Sequence, residues 1–392
     1  VGNSAFVMLS TALIPVYFAS IADPGSSVVV AWGYAETVAS LVLALLMPVL
    51  GSLADLAGNK KKFLVGFAGT GAVACAALGI PEHALAFLVV YVIAAIMLNG
   101  SMVFYDAFLV DATTEERYDK VSSHGYAWGY IGSCIPFIAC LAVVLGGSSF
   151  GIDAKLGMKI AFIITAVWWV IFTVPVAKNV KQLHGKKRSD HVLRTTISGL
   201  KGTVKSIMKD KRLFMLAFFF YIDGVHTVIK MSTSYGTDLG IDSTQLVLAL
   251  LVTQFVAFPS AIAYGNLAKR FGTKRMLKVG VLAYFFIVLF AAFFLKSAVE
   301  FWILAICVGL FQGGIQALSR SEYGKLIPKE RANEYYGFFD IFGKYAAVMG
   351  TFLASAFTQL TGSSSLGVLS IALLFIVGFL FLRAMPPMLG DS

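Results

Sequence analysis

One sequence phrase occurs twice in this chain at a fixed separation, and this repeat constrains the fold more than any other feature. The phrase GSLADLAGNKK begins at Gly51 and returns as GNLAKRFGTKR at Gly265, 214 positions later. The same shift carries the pair Glu116-Arg117 onto Glu330-Arg331. A repeat of about half the chain predicts two similar halves. Many secondary transporters are built in this way, with the binding site between the halves.

The composition places both halves in a membrane. The chain is 58% hydrophobic and only 13% charged, and its mean hydropathy is +0.82. A soluble protein of this length needs far more polar surface. Apolar runs of about 18 residues or more, enough to cross a bilayer, recur along the chain. We predict twelve spans, at 4–21, 27–50, 63–80, 85–109, 123–146, 158–177, 213–231, 243–263, 276–295, 299–318, 336–359 and 365–385.

The predicted fold class is an all-α integral membrane protein with two pseudo-symmetric six-helix halves. The first half covers 1–177 and the second covers 213–392. Between them lies a basic linker, 178–212, in which apolar residues over 190–212 recur at helical spacing among Lys and Arg. This pattern predicts an amphipathic helix on the inner leaflet of the membrane.

The distribution of basic residues predicts the orientation. Most of the 31 Lys and Arg residues lie in the linker and in the even-numbered connections between spans. The opposite side has only Lys155, Lys159, Lys230 and Lys296. This bias places both termini and the linker in the cytoplasm. It also explains the net charge of +10 through contact with anionic lipid, without any nucleic acid partner.

The repeated phrase predicts a gate at the cytoplasmic end of the second span. Gly51 lets helix ends approach closely, Gly58 suits a tight turn, and the basic residues from Lys60 onward are expected at the lipid head groups. Asp55 could accept bonds from the N-terminus of a helix in the other half, a contact that would break when the halves move. Lys269 replaces it in the second copy, so this latch is not symmetric. The alternative for Asp55 is a solvated loop carboxylate.

The pattern Gly-x-Leu-Ala-Asp-x-x-Gly-x-Lys-Lys at 51–61 resembles the signature loop of the major facilitator superfamily. Segments 105–132, 221–225 and 313–344 resemble its vacuole-effluxer-like branch, and the resemblance covers nearly the whole chain. It implies the major facilitator fold, a central cavity lined chiefly by spans one, four, seven and ten, and amino-acid export, as described for the yeast member. We expect a bacterial inner membrane rather than a vacuolar one. An Arg that is frequent in span four is replaced here by Leu98-Asn99-Gly100, so its proton-coupling role does not carry over.

Polar residues inside the spans are the candidates for substrate binding and proton coupling, because they are costly in lipid and usually face protein or water. Asp223 lies about ten residues into span seven, near the bilayer midplane. His226 and Lys230 follow on the same helix face. An acid and an imidazole together could carry a coupling proton, whereas the structural alternative is an ion pair between Asp223 and a lysine of another helix.

Neutral amides form a second set of candidates. Asn99 in span four and the i, i+4 pair Gln312 and Gln316 in span ten could bind the charged groups of a zwitterion, or could join helices together. Glu36 in span two is an intramembrane acid, either a further proton site or the partner of a base not identified in the sequence.

Further candidates for gating lie near the cytoplasmic ends of the spans. Asp340 and Lys344 have the i, i+4 spacing of a helix ion pair with the acid first, which favours a structural or gating role. Asp106 lies at the cytoplasmic end of span four and is also expected at the gate. His184 stands in the polar linker with no companion for chemistry.

The chain has no nucleotide-binding loop, metal-ligand cluster or nucleophile constellation, so we expect neither an enzyme nor a cofactor. The favoured function is a secondary transporter, a monomer that exports a small zwitterion such as a neutral amino acid, with exchange for protons as the candidate coupling. Two alternatives remain open. One is an exporter of a drug or lysolipid, suited by Phe-rich spans. The other is a membrane scaffold or sensor that transports nothing.

Overall fold

The computed structural model describes residues 1–22, 28–187, 192–238 and 240–385, and these residues are nearly all helical. Position 27 of the second predicted span and positions 190–191 of the predicted linker helix lie outside them. The α-helices, in chain order, are α1 Gly2–Ala12, α2 Ile14–Ile21, α3 Val28–Ala54, α4 Lys60–Ala77, α5 Ala84–Ala107, α6 Leu109–Ala112, α7 Tyr118–Gly146, α8 Ala154–Asn179, α9 Val192–Asp210, α10 Arg212–Asp238, α11 Ser243–Phe271, α12 Thr273–Phe294, α13 Ala298–Leu326, α14 Ala332–Thr361, α15 Ser364–Ser370 and α16 Ala372–Ala384.

The membrane class predicted from the sequence is confirmed. Within the described residues, 10 helices are long and apolar enough to cross a bilayer, and the pair α1 and α2, bent by 45°, raises the number to 11. The predicted span 63–80 corresponds to α4, which has only 18 residues, the first three of them lysines. Large apolar side chains such as Leu45 and Leu360 are 77% and 82% exposed, as expected for surfaces that face lipid.

Two compact units make up the chain. The first contains Val1–Ala112, Trp128–Leu200 and Pro328–Phe338, and the second contains Thr113–Ala127, Lys201–Ile327 and Phe339–Ser392. Each unit therefore includes one short segment from the other half of the sequence. Helices α7 and α14 begin in these segments, and a 3-10 turn precedes each helix, at Glu115–Arg117 and Lys329–Arg331.

The internal packing of the two units follows the sequence repeat. In the first unit α4 packs against α5 and α8, α3 against α5, and α1 against α8. In the second unit α12 packs against α13 and α16, α11 against α13, and α10 against α16. A shift of 214 positions places α4 on α12 and α5 on α13. The repeat thus records two copies of one helix arrangement.

Candidate functional site

The carboxylate of Asp55 binds the first turn of α14 within the first unit. One oxygen accepts the backbone N–H of Asn333 at 2.9 Å and its side-chain amide at 2.8 Å, and the other accepts the N–H of Glu334 at 3.1 Å. The first N–H groups of a helix have no partner within the helix, so they form a natural anion site. A Cβ atom at Gly51 would lie 2.6 Å from the carbonyl oxygen of Asn333. Only glycine at position 51 allows the start of α14 to come this close. The hydrogen bonds of Asp55 to this helix start are the contact that the sequence predicts.

Asp55 is almost completely buried, directly after the apolar span Ala31–Ala54. Burial raises the pKa of this carboxyl to about 7, while the cations of Lys186 and Lys60 and the donors of Asn333 act in the opposite direction. The charged form of a buried acid is costly. The contact with α14 therefore depends on the donors and cations that surround it.

A linker strap, residues 182–186, crosses the turn that follows Asp55. The backbone of Lys186 accepts a hydrogen bond from the N–H of Ala57 at 3.1 Å and donates one to the carbonyl of Asp55 at 2.7 Å. The side-chain oxygen of Gln182 accepts the N–H groups of Gly58 at 3.0 Å and Lys60 at 3.2 Å. Gly58 has φ +82°, a conformation that favours glycine, as expected for a tight turn.

Lys60 was expected at the lipid head groups, and this prediction is wrong. Its side chain is completely buried, with Nζ 2.6 Å from the carboxylate of Asp111 and 3.3 Å from the carbonyl of Ala107. The other oxygen of Asp111 accepts the N–H groups of Leu183 and His184 at 2.9 and 2.8 Å, and lies 3.1 Å from Nδ1 of His184. A carboxylate at the end of α6 thus compensates the buried charge, and His184 is not isolated.

The side chain of Lys186 joins the strap to α14. Its Nζ lies 2.7 Å from the carboxylate of Glu334, which is also held by Arg331 at 2.8 Å, and 4.0 Å from Asp55. Lys186 therefore places a cation between two buried acids that lie far apart in sequence. Its role is to position these acids at the start of α14.

We predict that Lys186→Gln loosens the start of α14, because it leaves two buried carboxylates with less positive charge. The expected loss of stability is about 1.5–3 kcal/mol, the scale of a hydrogen bond to a charged group. Thermal melting of the purified protein in detergent measures it. The matched control is Lys187→Gln at the neighbouring exposed position. Equal melting temperatures for the two variants would contradict the assigned role of Lys186.

The second unit contains an equivalent contact with different chemistry. Asp119, in the first turn of α7, is 214 positions before Asn333. Its carboxylate accepts hydrogen bonds from Thr273 at 2.7 Å, Ser321 at 2.6 Å and Lys325 at 2.8 Å. In this contact the acid, Asp119, belongs to the start of α7, and the cation, Lys325, belongs to α13. In the first unit the acid, Asp55, belongs instead to the turn against which the start of α14 packs.

Two more side chains complete this second contact. A Cβ atom at Gly265 would lie 2.7 Å from that of Ser123, just as one at Gly51 would meet Asn333. The buried guanidinium of Arg320 donates to the hydroxyl and the carbonyl of Ser122 at 2.8 and 3.0 Å and lies 4.9 Å from the ring centroid of Tyr126. Sequence reasoning missed Asp119 and Arg320. Applying the 214-residue shift to α14 would have found Asp119.

Asp223 is fully buried between α10 and α14 in the second unit. Its Oδ1 accepts the N–H of Gly350 at 2.9 Å and the hydroxyl of Thr227 at 3.2 Å. Within the described residues its Oδ2 has no hydrogen-bond partner. Nδ1 of His226 lies 3.3 Å from the carbonyl of Gly343. Asp223 and His226 therefore both contact α14, and Lys230 on the same helix is exposed.

The remaining sequence candidates are distributed over both units. The amide of Asn99 donates to its own helix at the carbonyl of Ala95, 2.7 Å away. Gln312 is buried and Gln316 half-buried on α13, and Asp106 is half-buried near the end of α5.

Asp340 and Lys344 form the ion pair that their spacing predicts. Glu36 accepts a hydrogen bond from the hydroxyl of Tyr91. Among the described residues, no group of His, Cys, Asp and Glu is arranged to hold a metal ion.

The fold is similar to solved transporters of the major facilitator superfamily. The structure of FucP in its outward conformation matches with a TM-score of 0.74 at 14% identity, covering 97% of this chain and 95% of FucP. The proton:xylose symporter XylE matches with a TM-score of 0.72 at 10% identity, covering 98% and 91%. The chain therefore has the fold of a major facilitator transporter, as the sequence predicts.

Sequence comparison gives the family. Residues 15–388 match the family described as vacuole effluxer Atg22 like. The chain is 45% identical over 395 residues to the MFS-type transporter YxiO of Bacillus subtilis, covering 98% of this chain and 92% of YxiO. It is 26% identical over 283 residues to autophagy-related protein 22 of Cryptococcus neoformans, covering 66% of this chain and 48% of that protein, about half its length. The chain belongs to the Atg22-like effluxer family and is a multi-pass membrane transporter rather than an enzyme.

Proposed function

We propose that this transporter exports a small zwitterion, such as a neutral amino acid, by alternating access and in exchange for protons. The family description supports export, and the buried acid Asp223 supports coupling to protons. The amides of Asn99, Gln312 and Gln316 are suited to the carboxylate and ammonium groups of such a substrate, because they offer both donors and acceptors. The protein needs no cofactor for this cycle.

The observation that carries the proposal is the second carboxylate oxygen of Asp223. An ionised oxygen that is buried without a partner is costly, and acids in membrane spans commonly form proton relays. A proton neutralises this group, and movement of α14 away from Gly350 would release it to water. We propose that His226, one turn further along α10, takes part in that transfer.

The contacts of Asp55 and Asp119 are proposed to act as the cytoplasmic gate. They hold the starts of α14 and α7 and would break when the cytoplasmic side opens. Gly51 allows the close approach, Gly58 allows the tight turn, and Lys60 fixes that turn through Asp111. We assign Asp106 and the Asp340–Lys344 pair to the same gate, because they lie on the helices that must move.

Both termini are proposed to lie in the cytoplasm, since the basic linker and loops follow the positive-inside rule. The proposed location is a bacterial inner membrane, in line with the relative from Bacillus subtilis. The partners in this proposal are the substrate, protons and membrane lipid, with the protein acting as a monomer.

We predict that Asp223→Asn abolishes the response of transport to a pH gradient, because the amide cannot bind and release a proton. Proteoliposomes loaded with radiolabelled leucine measure this. Efflux driven by an imposed pH gradient should fall to the rate of liposomes without protein, while leucine exchange at equal pH continues. Asp210→Asn, at an exposed position at the end of α9, is the control and should behave as the unchanged protein.

Three results would contradict the proposal. If Asp223→Asn responds fully to the pH gradient, Asp223 is not the coupling group. If the unchanged protein moves lysolipids or drugs but no amino acid, the amphiphile exporter is the correct function. If it moves none of these compounds, and Asp223→Asn leaves the phenotype of producing cells intact, the scaffold hypothesis gains support.

A further inference from the structure

Glu36 lies on the side of α3 that faces protein. It shares a helix face with Leu43 and Met47, seven and eleven residues later, and both of these are almost completely buried. Glu36 itself is exposed. Because Tyr91 of α5 reaches this side of α3, we interpret the exposure of Glu36 as an opening next to α5 rather than contact with lipid tails. An ionisable group inside a span is normally placed in just such a water-filled space.

Aromatic rings line the surroundings of this carboxylate. The hydroxyl of Tyr91 donates a hydrogen bond to Oε1 of Glu36. The ring of Trp32, one turn before Glu36, lies 4.2 Å from that of Tyr91, centroid to centroid. Phe18 is almost completely buried and packs against both Trp32 and Phe87, with ring centroids 5.9 and 6.0 Å away, so it supports the ring of Trp32. All five residues belong to the first unit, so this arrangement is complete within it.

Among the described residues, Glu36 has no ion-pair partner. In the parts of the chain that the structure describes, no Lys, Arg or His lies within 4.0 Å of its carboxylate. A carboxylate in a membrane span without a cation is costly. A ligand that carries a positive charge would offset this cost at a site that is open to water.

The aromatic wall favours an organic cation. The faces of Trp and Tyr rings attract ammonium groups, by about 0.5–2 kcal/mol, and ligands with substituted ammonium groups are recognised in this way. A proton site has no use for such rings. The hydrogen bond from Tyr91 orients the carboxylate and leaves its second oxygen available for the ligand, and Trp32 offers its ring to the alkyl part next to the nitrogen.

We propose that Glu36, Trp32 and Tyr91 form the subsite that binds the ammonium group of the substrate. This inference rests on the proposed function, because it assumes that the cargo is an amine or a zwitterion. Glu36 contributes the counter-charge, Trp32 the π face, and Tyr91 positions the carboxylate. The subsite selects compounds with a free ammonium group and rejects those in which the nitrogen is acylated.

The test is a thermal-shift titration of the purified full chain with four probes. Leucine carries both charged groups, leucinamide only the ammonium and N-acetyl-leucine only the carboxylate. Butylammonium chloride tests the subsite without any assumption about the cargo. We expect leucine, leucinamide and butylammonium to stabilise the protein, because a ligand that binds the folded state does so by mass action, and N-acetyl-leucine to have the smallest effect.

Glu36→Gln should weaken binding of the three amines about tenfold and leave N-acetyl-leucine unchanged. Trp32→Leu should weaken the amines several-fold, whereas Trp32→Phe, which keeps a ring face, should weaken them less. Glu82→Gln, an exposed acid in the loop before α5, is the matched control. The comparison of Leu and Phe at position 32 stays informative if Glu36→Gln folds poorly.

The outcomes separate this inference from the proposed function. If leucine has no effect but butylammonium binds in a manner that depends on Glu36, the subsite stands and the zwitterion proposal falls. If Glu36→Gln binds and transports leucine as before, the subsite is wrong and the proposed function stands. If Glu36→Gln keeps its affinity for the amines and loses only the pH dependence of transport, Glu36 is a proton site and the inference is overturned.

Discussion

Asp55→Ala is expected to abolish coupled transport and to leave the cytoplasmic gate open. The change removes the acceptor for two N–H groups and one side-chain amide at the start of α14. A buried donor left without a partner costs about 1–3 kcal/mol, and each 1.4 kcal/mol or so shifts a two-state equilibrium tenfold. The gate should therefore change from mostly closed to mostly open.

Two measurements check this expectation. Leucine efflux from proteoliposomes should be lost. In a background without the native cysteines, Ser52→Cys, which is buried next to the gate, should react with a membrane-impermeant maleimide only when Asp55 is replaced. Lys269→Ala is the matched control, since Lys269 occupies the equivalent position in the second copy and is exposed. Equal labelling of Ser52→Cys in the two backgrounds would refute the latch.

Gly350→Ala is expected to cause the second large effect, loss of pH-driven transport together with lower stability. The added Cβ atom would lie 2.6 Å from Oδ1 of Asp223 and even closer to the hydroxyl of Thr227. Both are short side chains that are fully buried, so they cannot move aside without cost. Overpacking of this kind typically costs about 1–3 kcal/mol. It would also displace the N–H that holds Asp223.

The control for this prediction lies two turns earlier on the same helix. A Cβ atom at Gly343 would meet only the ring of Phe218, at an ordinary 3.5 Å, so Gly343→Ala should retain both transport and melting temperature. The two variants are compared by pH-driven leucine efflux and by thermal melting in detergent. If Gly350→Ala transports as well as Gly343→Ala, close packing at Asp223 has no role in the cycle.

The fold could be predicted from the sequence because its signals are strong and local. Apolar runs of bilayer length and a repeat of fixed offset carry the membrane class and the two similar halves. The contact of Asp55 could also be predicted, because a lone acid among small residues at a helix end needs a donor nearby. The sequence does not name that donor, and Asn333 lies 278 positions away.

The parts that could not be predicted depend on partners that are distant in sequence and follow no spacing rule. In the sequence Lys60 is one of several lysines in a basic loop. Its ion pair with Asp111 becomes visible only in the folded structure. Gln182 and Lys186 stand in a linker where charge alone is informative, yet their backbone bonds fix the gate turn. Tyr91 likewise gives no sign in the sequence of its bond to Glu36.

In one gate contact the acid lies on the start of a helix, and in the other it lies on the turn that the helix start meets. This difference has a consequence for how the chain assembles. If the start of α7 docked on the turn of its own half, Asp119 would face Asp55, and two buried carboxylates would repel each other. The proper occupant of that turn, Asn333, is synthesised much later. We therefore expect the first half to disfavour closing upon itself before the start of α14 has been synthesised. Asp119 instead meets a cation, Lys325, in the second unit.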